Sequence, residues 1–152
     1  TARIYLLTPV DAGQAQTIGA VPRDVDESPT NLLSALLAGP NDDELDAQYR
    51  TALPAGTELR SAVLRGGILI VDMTPTLLEL SGDTLVSAIA QIVFTASEVT
   101  GVRGVRILVD GADRQWPSGD GELQARPLSV YDFPGLLSSA QPAYPAIPTP
   151  QA

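Results

Sequence analysis

Three residue types are absent from this 152-residue chain: histidine, cysteine and lysine. Without His the usual general base and commonest metal ligand is gone. Without Cys there is no disulfide, no thiolate zinc site and no thiol nucleophile. Without Lys there is no Schiff-base amine and no phosphate-loop lysine. Aromatics are scarce at 5%, so a core has to be built from Leu, Val, Ile and Ala, within an apolar content of 44%. No apolar run is long enough to cross a bilayer as a helix. The charge is lopsided at −9, with Arg the only cation. That sign disfavours nucleic acid and anionic lipid as partners, since both need a basic face.

What is present reads as one domain. Arg3 to Thr8 alternates as a strand and stops at Pro9. Ala15 to Val25 holds a looser second strand, with Pro22 at an edge or end. Ser28 and Pro29 fit the cap and first position of a helix whose Leu32, Leu33, Leu36 and Leu37 share one face. Gly39-Pro40 ends it. Asn41, with Glu44 three residues on, predicts a capping box for a second short helix running to Tyr49 or Arg50. Glu58 to Leu64 and Ile68 to Met73 read as strands joined by Gly66-Gly67, which suits a two-residue hairpin.

The longest helix is expected from Thr84 to Val99, capped by Asp83 and ended by Gly101. Leu85, Ile89, Ile92, Ala96 and Val99 form its apolar stripe. Val105 to Val109 follows as a strand with Val105, Ile107 and Val109 on one face. Ala112 to Glu122 reads as a polar loop, and Leu128 to Phe133 as a closing extended piece. Residues 1–133 therefore form the expected domain. Residues 134–152, with five Pro between 134 and 150, read as a Pro-rich tail or linker. No internal repeat is visible. The start at Thr1 with immediate strand residues reads as a cut edge, downstream of a removed leader or anchor.

Few residues carry chemistry. Asp42, Asp43, Glu44 and Asp46 could hold a hard cation, or could simply load the first turn of a helix. Asp110, Asp113, Asp120 and Glu122 bracket a Gly-rich loop and could chelate, or could serve as turn residues. A carboxylate pair could run acid–base hydrolysis, as in glycosidases. Trp116, the one Trp, is the candidate ligand contact: it could stack on a sugar or anchor a partner, or fold back over a core short of aromatics. Arg103 and Arg106 flank the last main strand as candidate carboxylate partners or surface ion pairs. No catalytic, cofactor or metal residue stands out.

The ordered series of signals resembles the GerMN domain of sporulation and spore germination proteins, also found in LpqB-type envelope lipoproteins. It comprises Ser28-Pro29 with Leu36-Leu37-Ala38-Gly39-Pro40; Leu53-Pro54-Ala55-Gly56-Thr57; Gly67-Ile68-Leu69-Ile70-Val71-Asp72-Met73; Gln91-Ile92-Val93-Phe94-Thr95; and Val102-Arg103-Gly104-Val105-Arg106-Ile107-Leu108-Val109-Asp110-Gly111. Leu128 to Phe133 supplies the ending, so the resemblance spans residues 2 to 133. It implies a non-catalytic binding or scaffold domain, extracytoplasmic, on a lipoprotein of a Gram-positive or actinobacterial cell. The expected partner is an envelope protein or, through Trp116 and the acids near it, peptidoglycan or another cell-wall glycan; membrane contact comes only through a removed upstream anchor. The chain has one copy of the domain, where the sporulation protein has two.

The expected fold class is α+β: a two-layer sandwich with a mixed or largely antiparallel sheet and two main helices packed on one face.

Overall fold

A computed structural model describes residues 2–138. The chain runs β1 (Ala2–Leu7), β2 (Ile18–Arg23), α1 (Pro29–Ala38), α2 (Asp42–Asp46), β3 (Leu59–Arg65), β4 (Ile68–Met73), α3 (Gly82–Ala96), β5 (Gly104–Val109), β6 (Ala112–Asp113), β7 (Trp116–Pro117) and β8 (Leu123–Gln124). Its architecture is α+β. A four-stranded mixed sheet has the order β3-β4-β5-β6, and β1-β2 and β7-β8 are separate antiparallel pairs.

Local sequence accounts for most boundaries. Ser28 Oγ accepts from Asn31 N, and Pro29 opens α1. Asn41 and Glu44 form the reciprocal capping box on α2. Gly66 and Gly67 take φ of 57° and 83°, which a two-residue hairpin between right-twisted strands requires. The β4–β5 pair is parallel. Parallel neighbours need a crossover, and α3 provides it. Leu69 lies beside Val105, Val71 beside Ile107 and Met73 beside Val109, and all six are buried. This is the core face. Ile70, Asp72, Arg106 and Leu108 share the outer face and are half-buried.

Five expectations are corrected. The long helix starts two residues before Thr84, with Ser81 in the cap position; Asp83 lies inside its first turn, where a carboxylate meets the positive end of the helix dipole. It ends at Ala96 rather than Val99, because Ser97 and Glu98 turn back onto Val93 and Thr95 carbonyls. α2 stops at Asp46, short of Tyr49. The loop after Asp110 contains the short strands β6 and β7. The single apolar stripe proves too narrow: every residue of α3 from Ser87 to Ala96 is buried, the polar Gln91 and Thr95 included. The helix packs against β1 and α1, with β5 and β7 also touching it, so it has no solvent face there.

Leu128 makes one antiparallel bridge to Val105, and residues Val130–Asp132 form a 3₁₀ turn rather than a strand. The chain stays in contact with the domain past residue 133. Ile18 N donates to Leu136 O (2.9 Å) and Ser138 N to Ile18 O (2.8 Å), while Leu136 and Leu137 pack on the core. The rest of the expected tail, 139–152, lies outside the described residues.

Candidate functional site

The acidic residues singled out in the sequence are taken up by the fold one at a time. In α2 the Glu44 carboxylate receives both arms of Arg23, at 2.7 and 2.6 Å, besides its capping bond from Asn41 N. The Arg23 hydrogen bonds hold its carboxyl below the usual range, against the opposing effect of partial burial. Asp42, Asp43 and Asp46 are exposed around that cap. The second group is dispersed. Asp110 meets Arg60 at 3.4 Å, and Asp113 meets Arg106 at 2.9 Å. Asp120 accepts from Glu122 N (3.0 Å) and from Ser118 Oγ (2.7 Å), which lowers its pKa in that order. Asp132 is lowered chiefly by its hydrogen bonds from Arg126 and also by Ser129 N. All three shifts favour the ionised form. A glycosidase-type acid needs the opposite displacement. Among the described residues no group of three or more metal-ligating side chains comes together.

Arg106 forms an exposed ion pair with Asp113, while Arg103 donates to the Gly66 carbonyl at 2.8 Å, bracing the hairpin. Trp116 is only 5% exposed. Its indole N–H donates to Ile107 O at 2.8 Å. The outer edge of β5 is thereby closed residue by residue: Val105 exchanges backbone bonds with Leu128, Ile107 is met by the indole, and Val109 pairs with Ala112. The ring covers the core and completes a strand edge, and it does not offer a face for stacking.

A second edge closure went unread in the sequence. Gln91 and Thr95, one turn apart on α3, reach the free edge of β1. Thr95 Oγ1 accepts from Tyr5 N at 3.0 Å, and Gln91 Nε2 donates to Tyr5 O at 3.1 Å. The same Gln91 amide accepts from Ala52 N (2.8 Å) and donates to Thr51 Oγ1 (3.0 Å). Two polar residues four apart in the otherwise apolar stretch Ala88–Ala96 signalled a buried polar pair but not its partner, because a buried amide is held only when its bonds are made. This constellation is structural.

What remains open to a ligand is a cleft of about 400 Å³ where β1 ends. Thr8, Asp11, Gln14 and Gln16 contribute from the turn between β1 and β2, and Gln48 and Arg50 from the segment after α2. It holds one carboxylate, one guanidinium and three primary amides. The backbone around it is paired: Leu7 and Arg50 exchange bonds of 2.8 and 3.0 Å, Thr8 N donates to Thr17 O, and Gln14 N to Asp11 O. Nothing in the sequence reading pointed to this cleft, because its residues come from two separate turns. A shallower depression lies between α1 and the start of β3, lined by Ser34, Leu37 and Glu58.

The sequence matches the Germane family, described as sporulation and spore germination, over residues 3–115. Solved structures share the fold. The first GerMN domain of the sporulation protein GerM from Bacillus subtilis aligns with a TM-score of 0.64 and 20% identity, over 84% of this chain and 96% of that one. The tandem GerMN domains of the same protein align at 0.61 and 18%, over 84% of this chain. This chain spans 43% of that tandem structure, so the likeness is to one of its repeats. The structure of a candidate lipoprotein from Clostridium perfringens aligns at 0.59 and 21% identity, over 90% of this chain and 94% of that one. No functionally curated protein matches the sequence. With three quarters of its length matched, this chain belongs to the sporulation and spore germination family, as a GerMN-type domain.

Proposed function

We propose that the chain is a non-catalytic binding or scaffold module of a cell-envelope protein, working outside the cytoplasm on a protein anchored by lipid. Its family membership carries the reading. The likeness to the structure of a candidate lipoprotein supports the location. The use of the acidic groups supports the lack of turnover: Glu44, Asp110, Asp113, Asp120 and Asp132 are all engaged in caps, turns or ion pairs. The partner is an envelope protein or a cell-wall glycan, and the amide-lined cleft favours the glycan.

The location is tested in cells making the full-length protein. It is expected in the membrane or surface fraction, open to protease added to intact cells; a protease-protected cytosolic protein overturns the envelope reading. The second part is tested by a broad hydrolase screen of the purified chain beside Asp110→Asn/Asp113→Asn. Turnover by the unaltered chain that this variant loses would overturn the non-catalytic reading.

A further inference from the structure

Gln48 occupies a backbone position that disfavours it. It follows α2 with a φ of 75°. Gln48 N donates to Leu45 O at 3.0 Å and Tyr49 N to Glu44 O at 2.9 Å, the paired bonds of a Schellman ending. The left-handed residue of that motif is usually Gly or Asn, because any other side chain crowds its own backbone. Among the described residues the other non-Gly one at positive φ is Asp110, at 48°, a residue type that tolerates it. A glutamine held there against its preference is strain, and strain kept in a native fold points toward function. Gln48 lines the cleft at the end of β1 together with Gln14 and Gln16.

We infer that this cleft binds a neutral saccharide, with Gln14, Gln16 and Gln48 supplying the hydrogen bonds. The Gln14 and Gln48 amides each present a donor and an acceptor in one plane, which suits neighbouring ring hydroxyls. Gln16 directs its N–H groups to the Thr8 and Thr17 carbonyls at 2.9 and 2.6 Å, which leaves its carbonyl oxygen as an acceptor. Arg50 gives one nitrogen to the Leu45 and Tyr49 carbonyls and keeps further N–H groups. One Asp and one Arg leave the cleft without net charge, so it does not select an ionic ligand. Pro9 and Val10, both exposed, add an apolar wall. A peptide strand would need free backbone groups on the cleft wall. Those of Leu7, Thr8 and Arg50 are already paired. The volume lies within the roughly 300–1,000 Å³ of small-ligand clefts.

This inference rests on the binding-module reading, yet it fails separately: a cleft that takes no sugar leaves the envelope location and a protein partner standing. The test is a titration of the isotope-labelled 152-residue chain with chitotetraose and with cellotetraose, followed by amide NMR. The expected result is saturable shifts of the Gln14 and Gln48 side-chain amides with at least one sugar, and a preference between the two identifies whether acetamido or hydroxyl groups are read. In Gln48→Gly the affinity is expected to fall about three- to tenfold, as for one lost hydrogen bond. The same variant should melt roughly 2–4 °C higher, because the strain is relieved. Gln14→Ala, at an exposed position, should weaken binding without moving the melting temperature. No shift at 10 mM of either sugar, shifts away from the cleft, or undiminished binding by both variants would overturn the proposal. So would a neutral tetrapeptide that saturates the same amides when neither sugar does.

Discussion

Strands β1 and β3 both present an edge beyond their hairpin partner, and the molecule treats the two edges in opposite ways. β1 lies inside, with Ile4, Tyr5 and Leu6 fully buried. The outward N–H and C=O groups of Tyr5 and Leu7 are met by Thr95, Gln91 and the backbone of Arg50. β3 stands at the end of its sheet and is largely exposed, with Val63 at 43% and Leu64 at 40%. It is guarded by Arg60 and Arg65 and by an irregularity between Leu59 and Ser61, devices that discourage unwanted strand pairing. Water meets the polar groups of an exposed edge. A buried edge has no such supply, and each unmet group costs about 1–3 kcal/mol. The contrast explains why the buried stretch of α3 carries a glutamine and a threonine.

The strongest way to break this comparison is Gln91→Ala, which strips partners from Tyr5 O and Ala52 N. A loss of about 3 kcal/mol is expected in urea unfolding followed by Trp116 fluorescence. A loss below about 1 kcal/mol would mean that water reaches the β1 edge and that the contrast with β3 is false. Trp116→Phe tests the parallel closure on β5. It keeps a ring but orphans Ile107 O, and about 1–3 kcal/mol should be lost by circular dichroism melts. A neutral result would reduce Trp116 to a cover.

The Arg23–Glu44 pair lies between the two extremes, with side chains 15% and 12% exposed, and ties the end of β2 to the α2 cap. Glu44 and Asp132 both titrate below their ordinary values in the folded chain. Their contribution is therefore fully present above about pH 5, beyond the ordinary carboxylate range. It is lost as pH falls through the lowered folded values. Acid titration of stability should show this downturn, and Glu44→Gln should flatten it; an unchanged slope would mean that the pair gives nothing at any pH. The smallest effect belongs to β3. Val63→Thr is expected to stay within about 0.5 kcal/mol, and a larger loss would show the open edge to be covered by something in solution.

Much of this fold was legible because it rests on local chemistry. The Ser28-Pro29 start, the Asn41–Glu44 box, the Gly66-Gly67 turn and the alternation of Val105, Ile107 and Val109 each act within a few residues of themselves. Long-range closure was illegible for the same reason. Gln91 meets Tyr5 across 86 positions in the chain, and neither residue signals the other. Trp116 illustrates the gap well. Its sequence context, a polar loop in a chain short of aromatics, favoured a core cover over a ligand contact but named no partner, and the carbonyl of Ile107 that receives its indole N–H lies outside that context. The cleft was unreadable because two turns, separated by more than thirty residues, build it together.

Sequence alone therefore determined most of the main elements, the caps of α1 and α2, the Gly66-Gly67 turn, the family signature and the chemistries that missing His, Cys and Lys exclude. These depend on side-chain type and short spacing. The tertiary structure decided that α3 is buried on every side from Ser87 to Ala96, that its polar pair and Trp116 close strand edges, and that Gln48 lines a cleft from a strained position. Those outcomes follow from a need that no local segment states: once backbone groups are taken from water, some other part of the chain has to meet them.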